Sequence, residues 1–331
     1  MRFGLSVSFE IGKQGERVKR VSFRAFPVRA FKPLTSTESH QGIDRRAYLA
    51  AGITVILWAS AFPGIRAALQ NYTPAHVALI RYVTASLALV VYALFARIRL
   101  PRFRDVPGFA LLGLIGIAFY NVALNTGEIH VPSAEASFLV ASAPIFMAVE
   151  AMPFLGERLR VWGWVGIAVS CGGIALITLS QNASFHLDLW ALLVLMAAIA
   201  QSLYSVGQKP FLTRYTALEC TAYAVWAGTL FLLIFSPGLL EELRTAPLPV
   251  TLAATYLGIF PGALGYVSWA YALSRLPAST AASFLYLVPI VASGIAWVWL
   301  GEVPALFALL GGVFVLVGVI LVNTRGRKGT R

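Results

Sequence analysis

Charged residues are scarce in this chain of 331 residues, since Asp, Glu, Lys and Arg together make up 12% of it. Soluble globular domains have about 25% charged residues. Hydrophobic residues, in contrast, make up 58%. This composition excludes an ordinary water-soluble domain. Apolar runs recur from Ala47 to Val322, and most approach the ~20 residues that cross a hydrocarbon core about 30 Å thick.

Residues that carry catalytic or metal chemistry are also few. The two cysteines, Cys171 and Cys220, exclude a disulfide framework and a Cys-rich metal site. The four histidines are scattered, and the sequence contains no paired-carboxylate cluster and no Gly-rich loop that would hold phosphates at the start of a helix. We therefore expect no cofactor, no direct use of ATP and no enzymatic activity.

Ten apolar segments are broken by Pro, Gly and charged residues, and they predict an all-α membrane protein with ten transmembrane helices. The predicted spans are 47–66, 75–95, 107–126, 132–152, 160–180, 188–208, 218–239, 248–273, 278–299 and 304–323.

The net charge of +12 indicates membrane orientation and not nucleic-acid binding, because the basic residues lie in tails and short loops. Nine Lys and Arg fall in alternate loops and about two, Arg66 and Arg244, in the others. Basic loops face the cytoplasm. We therefore predict a multi-pass protein of the inner (plasma) membrane with both termini in the cytoplasm.

The two tails are strongly basic. Residues 1–46 contain ten Lys or Arg against four acidic residues, which predicts a flexible cytoplasmic arm, and 325–331 form a short basic tail. Two alternatives stay open for the arm. It could lie on an anionic leaflet, or the start codon could have been placed too far upstream.

An internal repeat becomes visible when the chain is shifted by 145 residues. Pro132 then meets Pro277, Pro144 meets Pro289, and the triplet Leu-Gly-Glu ending at Glu157 meets the triplet ending at Glu302. The period contains five predicted spans, an odd number, so the second half enters the membrane in the opposite sense. This predicts two inverted five-helix repeats with a solute site between them near the middle of the membrane. The two glutamates are expected to anchor loops.

Pro144 and Pro289 lie well inside predicted spans at equivalent positions of the two halves. A proline inside a helix removes a hydrogen bond and kinks the helix. We expect each bend to shape the cavity and to contribute to gating. The alternative is that prolines are simply common in membrane helices.

These features resemble the EamA family of the drug/metabolite transporter superfamily. The resemblance covers about 47–323 and rests on Trp58-Ala59-Ser60-Ala61-Phe62, on Arg81 and on the repeated Pro-to-Leu-Gly-Glu block. It implies two EamA repeats, 47–181 and 186–324, and export or exchange of amino acids, metabolites or small toxic compounds. The second half has Ala200-Gln201-Ser202 in place of Trp58-Ala59-Ser60, so the site is expected to depend more on the first repeat.

Polar and aromatic residues inside spans are the candidates for substrate binding, because such groups are expensive in lipid and usually face a cavity or a partner. Arg81 is the first candidate, since its planar donors suit a carboxylate. Glu135, at the start of the fourth span, is a candidate partner or proton-titrated gate. The remaining candidates are Trp58, Tyr120, Asn121, Asn125, Gln201, Tyr204, Tyr266 and Trp269. Structural roles, such as bridging helices, stay open for each.

The sequence therefore predicts a secondary transporter, with export the expected direction, that moves small organic solutes by alternating access. Its expected partners are the solute and membrane lipids, and its oligomeric state is left open. A flippase for lipids or lipid-linked sugars in the same superfamily is the alternative. A membrane-embedded enzyme is a weaker one, because no catalytic cluster is visible.

Overall fold

The computed structural model describes residues 44–96, 98–155, 160–181, 189–276 and 284–325, and within these ranges it contains helices and no strand. The predicted arm, apart from its last three residues, lies outside the described residues. So do 326–331 of the tail and Gly156, Glu157 and Pro277 of the repeated block.

The first half of the described chain contains seven α-helices. A 3-10 turn, Phe103–Asp105, precedes α3, and a π-helical segment, Leu114–Phe119, joins α3 to α4. The helices are α1 (Arg45–Ala68), α2 (Pro74–Ala96), α3 (Val106–Gly113), α4 (Tyr120–Gly127), α5 (Ser133–Val140), α6 (Ala143–Leu155) and α7 (Val161–Gln181).

The second half of the described chain contains seven more with both ends described, and Phe284 and Leu285 are also helical. A 3-10 turn, Leu233–Phe235, follows α9, and a π-helical segment, Gly258–Gly265, joins α11 to α12. The helices are α8 (Leu189–Leu212), α9 (Ala217–Leu232), α10 (Leu239–Thr245), α11 (Leu248–Leu257), α12 (Tyr266–Arg275), α13 (Val288–Leu300) and α14 (Leu306–Arg325).

Six helical segments of the described chain are long and apolar enough to cross a membrane: Arg45–Ala68, Pro74–Ala96, Phe103–Gly127, Leu189–Leu212, Ala217–Phe235 and Leu248–Arg275. Four shorter apolar helical segments accompany them: Ser133–Met147, which includes the end of α5 and the start of α6, Val161–Ile177, Val288–Leu300 and Leu306–Val322. The predicted all-helical membrane protein is therefore confirmed for the described residues.

Helix breaks, and not kinks, occur at the two predicted proline sites. The helix expected over 132–152 ends at Val140, turns through Ala141 and Ser142, and begins again at Ala143. Pro144 is therefore the second residue of a new helix, as Pro289 is in α13. Proline is tolerated in the first helical turn, where its missing N–H would have no partner within the helix. The expected kink within a continuous helix is thus replaced by an interruption just before each proline.

The described loops gather at two ends of the helix bundle. At the basic end, the segment 98–105 meets the segment 213–219: Asp105 accepts from Arg214 Nη1 at 3.0 Å and from the Tyr215 hydroxyl at 2.8 Å. The acidic end contains 69–73, 128–132, 236–247 and 301–305. There Thr73 N donates to the Glu242 carboxylate at 3.1 Å. Both contacts join the first half of the chain to the second.

Candidate functional site

A cavity of about 90 Å³ lies between α1, α2, α4, α8 and α12, and the break between α5 and α6 faces it. One water needs about 10–15 Å³ on the same measure, so the cavity has room for several waters or a small solute. Seven of the predicted residues line it: Trp58, Arg81, Tyr120, Pro144, Gln201, Tyr266 and Trp269. The other lining residues are Ala61, Phe62, Ile65, Leu124, Ser137, Val140, Ala141, Ala143, Met147, Ser205, Lys209, Leu273, Leu285, Tyr286 and Val288.

Aromatic rings form one wall of this cavity. The Trp58 ring centroid lies 5.3 Å from that of Tyr266 and 5.5 Å from that of Trp269. The indole N–H groups of both tryptophans are buried and have no hydrogen-bond partner in the described part of the chain. The wall therefore offers apolar surface for a substrate body and two free donors for its polar atoms.

Arg81 is the most heavily buried cation of the site, with 3% of its surface exposed. It lies seven residues after the first residue of α2, which places it about 10 Å along the helix from the acidic end. Its Nε and Nη1 atoms have no hydrogen-bond partner within the described ranges. A buried charge is costly unless it is paired, so these free donors suit an anionic ligand.

The π-helical segment Gly258–Gly265 supports Arg81 and Trp58 through close backbone packing. A Cβ atom on Gly258 would lie 2.3 Å from the carbonyl oxygen of Arg81, and one on Gly265 would lie 2.9 Å from Nε1 of Trp58. Only residues without a side chain permit this approach. The glycines thus fix the two predicted binding residues against the second half of the chain.

Lys209 also lines the cavity and is not among the residues predicted from the sequence. Gln201, Ser205 and Lys209 are spaced four residues apart on α8 and so lie on one face of the helix. This spacing was the signal that could have identified Lys209. It is the second basic residue of the wall beside Arg81, and no Asp or Glu is among the described lining residues.

Three predicted residues, Asn121, Asn125 and Tyr204, do not line the cavity. They contact other residues of the helices that surround it. Asn121 Nδ2 donates to the Tyr82 hydroxyl at 2.9 Å, and that hydroxyl lies 3.4 Å from the Tyr266 hydroxyl. Asn125 Nδ2 donates to the carbonyl of Pro74 at 3.0 Å. The Tyr204 ring centroid lies 5.9 Å from that of Tyr266.

Two of the predicted gating residues also lie outside the lining. Glu135 is buried in the first turn of α5, with 4% of its surface exposed. Pro289 is buried in the first turn of α13. Their roles in gating stay predictions.

Arg66 joins three segments at the acidic end, beyond the cavity. It donates to the carbonyl oxygens of Glu128 and Ile129, the latter at 2.8 Å, and its Nε lies 3.5 Å from Oε1 of Glu302. Oε2 of Glu302 accepts from the backbone N–H of Ser133 at 3.1 Å. The expected loop-anchoring role of Glu302 is confirmed by these contacts.

Glu128 was not selected from the sequence, in which it lies between two predicted spans. In the structure it is fully buried, and neither carboxylate oxygen has a hydrogen-bond partner among the described residues. Burial raises the pKa of Glu128 well above its ordinary value, although the nearby Arg66 opposes this shift. Only the three-dimensional packing of the loop reveals this isolated carboxyl group.

Comparison with known proteins identifies the class. The family model described as "EamA-like transporter family" matches residues 45–179 and again 188–324. A "Probable terminal-alkyne amino-acid exporter" of Streptantibioticus cattleyicolor (strain ATCC 35852 / DSM 46488 / JCM 4925 / NBRC 14057 / NRRL 8057) is 45% identical over 86% of this chain and 96% of its own length. "Uncharacterized transporter YdfC" of Bacillus subtilis (strain 168) is 40% identical over 82% of this chain and 89% of its own.

A solved structure described as "Crystal structure of protein" has a TM-score of 0.59 at 18% identity, over 83% of this chain and 96% of that chain. At this identity the likeness concerns the fold alone. The two family matches and the transporter relatives confirm the predicted resemblance and the prediction that the chain is not an enzyme. With its apolar helices, it is an integral, multi-pass membrane transporter, and it belongs to the EamA-like transporter family.

Proposed function

We propose that this chain exports small organic solutes that combine a carboxylate with an apolar body, amino acids being the reference class. The observation that carries the proposal is the buried guanidinium of Arg81 on the cavity wall, whose Nε and Nη1 atoms have no hydrogen-bond partner within the described ranges, while no acid occurs among the described lining residues. The amino end of α6 also faces the cavity through Ala143 and Pro144, and such an end favours negative charge. The wall formed by Trp58, Tyr266 and Trp269 would hold the apolar body.

The proposed architecture has ten transmembrane helices in two inverted repeats, 47–181 and 186–324. Two local features support it. The turns before the prolines, Ala141-Ser142 and Tyr286-Leu287, lie 145 residues apart, which is the period of the sequence repeat. The π-helical segments Leu114–Phe119 and Gly258–Gly265 overlap under the same shift. Equivalent irregularities at equivalent positions are expected of two copies of one five-helix unit.

We further propose that the basic end faces the cytoplasm, with both chain termini. The bias of Lys and Arg toward cytoplasmic loops supports this orientation. The cavity wall extends to Lys209 and Leu273, which lie in the last turns of α8 and α12 at the basic end. At the acidic end, Arg66 and Glu302 join the loops beyond Arg81. The described conformation then corresponds to a transporter that loads from the cytoplasm and is closed toward the outside.

In the proposed cycle, the breaks before Pro144 and Pro289 act as hinges, and Glu135 moves with the amino end of α5. Release to the outside requires separation of the Arg66 contacts and closure at the basic end. Membrane helices can rock as rigid bodies around a fixed site in this manner.

The relative named as a probable terminal-alkyne amino-acid exporter supports the amino-acid class. An amino acid with a small unsaturated side chain has both the carboxylate and the compact apolar body that the cavity wall would accommodate. The name of a relative does not extend to this chain's own substrate, so the proposal is limited to this chemical class.

Export is tested in everted membrane vesicles from cells that express the whole chain or carry an empty vector. Uptake of a panel of labelled amino acids into the vesicles corresponds to export from cells. We expect several-fold faster uptake of at least one amino acid with an apolar side chain, and normal uptake when Arg244, exposed at the acidic end, is replaced by Ala. Equal uptake with and without the transporter across the panel would contradict the proposal.

A further inference from the structure

A second, apolar groove of about 540 Å³ lies between α3 and α9 on the outside of the helix bundle. Phe109, Ala110, Leu230 and Phe231 form part of its wall, and Arg99 belongs to it as well. It shares no residue with the central cavity. Leu230 and Phe231 are 69% and 41% exposed, so on membrane helices this groove opens toward lipid.

The groove is cationic at one end and apolar along the rest of its length. Arg99 lies in the segment that precedes α3 at the basic end, and Arg102 and Arg104 are exposed on the same segment. Along α9, eight residues separate Tyr223 from Phe231, so the wall continues for about 12 Å away from the basic end and past the middle of the helix. Positive charge at headgroup level and apolar surface below it match the layout of a phospholipid.

The acidic residues near the cationic end of the groove already have hydrogen-bond partners. Asp105 accepts from Arg214 and Tyr215, and Glu219 accepts from the backbone N–H groups of Arg99 at 3.1 Å and Thr216 at 2.8 Å. The side chains of Arg99, Arg102 and Arg104 form no ion pair within 4.0 Å in the described chain, and Arg99 has a longer electrostatic interaction with Glu219. This end of the groove therefore has an excess of positive charge.

Tyr223 provides a second, independent feature of the groove. Its side chain lines the groove and is only 5% exposed, yet its hydroxyl has no hydrogen-bond partner among the residues that the structure describes. A buried hydroxyl without a partner costs free energy. An oxygen atom of a lipid that occupies the groove would accept a hydrogen bond from it.

We infer that this groove is a binding site for one acidic phospholipid, whose phosphate pairs with Arg99 while an acyl chain lies along α9 and an ester oxygen accepts from Tyr223. Basic pockets between helices on the cytoplasmic side of membrane proteins bind anionic headgroups in this way. Because α3 and α9 belong to different halves of the chain, the lipid occupies the seam between them. This site goes beyond the proposed export and does not depend on which solute is carried.

The test compares phosphatidylglycerol with phosphatidylcholine of identical acyl chains, both titrated onto the purified full chain and counted by native mass spectrometry. We expect one phosphatidylglycerol to bind about tenfold more tightly than phosphatidylcholine. Arg99→Ala should remove most of that preference and Tyr223→Phe should weaken binding a few-fold. Arg244→Ala, an exposed arginine at the opposite end, is the matched control and should bind as the wild type does.

Ala110→Leu, which fills the groove, should displace both lipids and keeps the inference testable if Arg99→Ala fails to fold. Excess glycerol 3-phosphate should not compete, because the acyl chain supplies much of the contact. Equal binding of the two lipids by the wild type, equal behaviour of Arg99→Ala and Arg244→Ala, or displacement by glycerol 3-phosphate would overturn the inference.

Discussion

The backbone N–H of Ser133, at the start of α5, donates to the carboxylate of Glu302, which follows α13, at 3.1 Å. The other carboxylate oxygen of Glu302 lies 3.5 Å from Nε of Arg66. One glutamate of the second half thus holds two segments of the first half together. In the proposed cycle this contact must break before solute leaves at the acidic end.

Glu302→Ala is therefore expected to open the acidic end more often. The ion pair is partly exposed, with 33% and 21% of the two side chains accessible, so it contributes about 0–1 kcal/mol, and the bond from Ser133 adds to that. We expect a several-fold faster reaction of an impermeant maleimide, applied outside, with Ser137→Cys in the cavity. Cys171 and Cys220 are replaced by Ser for this measurement.

Glu241→Ala is the control for that experiment, because Glu241 is exposed on α10. With Glu241→Ala, maleimide should react with Ser137→Cys at the same rate as it does when both Glu241 and Glu302 are present. If Ser137→Cys also reacts at this rate with Glu302→Ala, the contact of Glu302 with Arg66 and Ser133 does not close the acidic end.

Glu128 is expected to make the opening of the acidic end depend on pH. Burial raises its pKa in the closed conformation, so the closed form binds a proton more tightly than an open form in which the carboxyl group meets water. Closure is favoured most when the pH is below the ordinary carboxyl pKa of 4.5, and this advantage is lost as the pH rises through the raised pKa. Maleimide labelling of Ser137→Cys should therefore increase with pH.

Glu128→Gln, which cannot ionise, should show no such dependence. The maleimide reaction itself depends on pH. The rate at Ser137→Cys is therefore divided by the rate at Leu243→Cys, which is on the surface of α10. A ratio that rises with pH to the same extent in Glu128→Gln would show that another group is responsible.

Gly258 is expected to be indispensable for packing. A Cβ atom there would lie 1.8 Å from Oγ1 of Thr84 and 2.3 Å from the carbonyl oxygen of Arg81, and such overpacking costs about 1–3 kcal/mol. Gly258→Ala should lower the thermal unfolding midpoint in detergent and reduce transport. Gly294→Ala on α13, where a Cβ atom would meet nothing within 4 Å, should unfold at or above the wild-type midpoint. Equal midpoints would contradict the packing described here.

The helical class could be predicted from the sequence because composition alone excludes water as the main solvent. The bounds were also close for long helices; the span predicted over 75–95 corresponds to Pro74–Ala96. The break at Ala141 and Ser142 could not be predicted, because both residues are tolerated within helices. Pro144 predicted an irregularity at the correct position, but as a kink within one helix. A proline in the first turn of a helix cannot be distinguished from one in the middle by sequence alone.

Part of the candidate site was predictable for a physical reason. Arg81, Trp58 and Gln201 stood out because polar and aromatic residues within apolar spans must face a cavity or a partner. The same rule selected Asn121 and Asn125, whose partners are Tyr82 and the Pro74 carbonyl, because sequence does not distinguish a cavity from a partner. Glu128 was missed because its burial arises from contacts between distant segments.

The central claim is that Arg81 binds a substrate carboxylate in the cavity, and flux of an amino acid and its amide of nearly equal size tests it most directly. With everted vesicles containing equal amounts of protein, the wild type should carry the acid at least tenfold faster than the amide. Arg81→Gln should lose that preference and Arg81→Lys should keep part of it. If Arg81→Gln carries the acid as fast as the wild type does, the carboxylate does not bind at Arg81 and the account is contradicted.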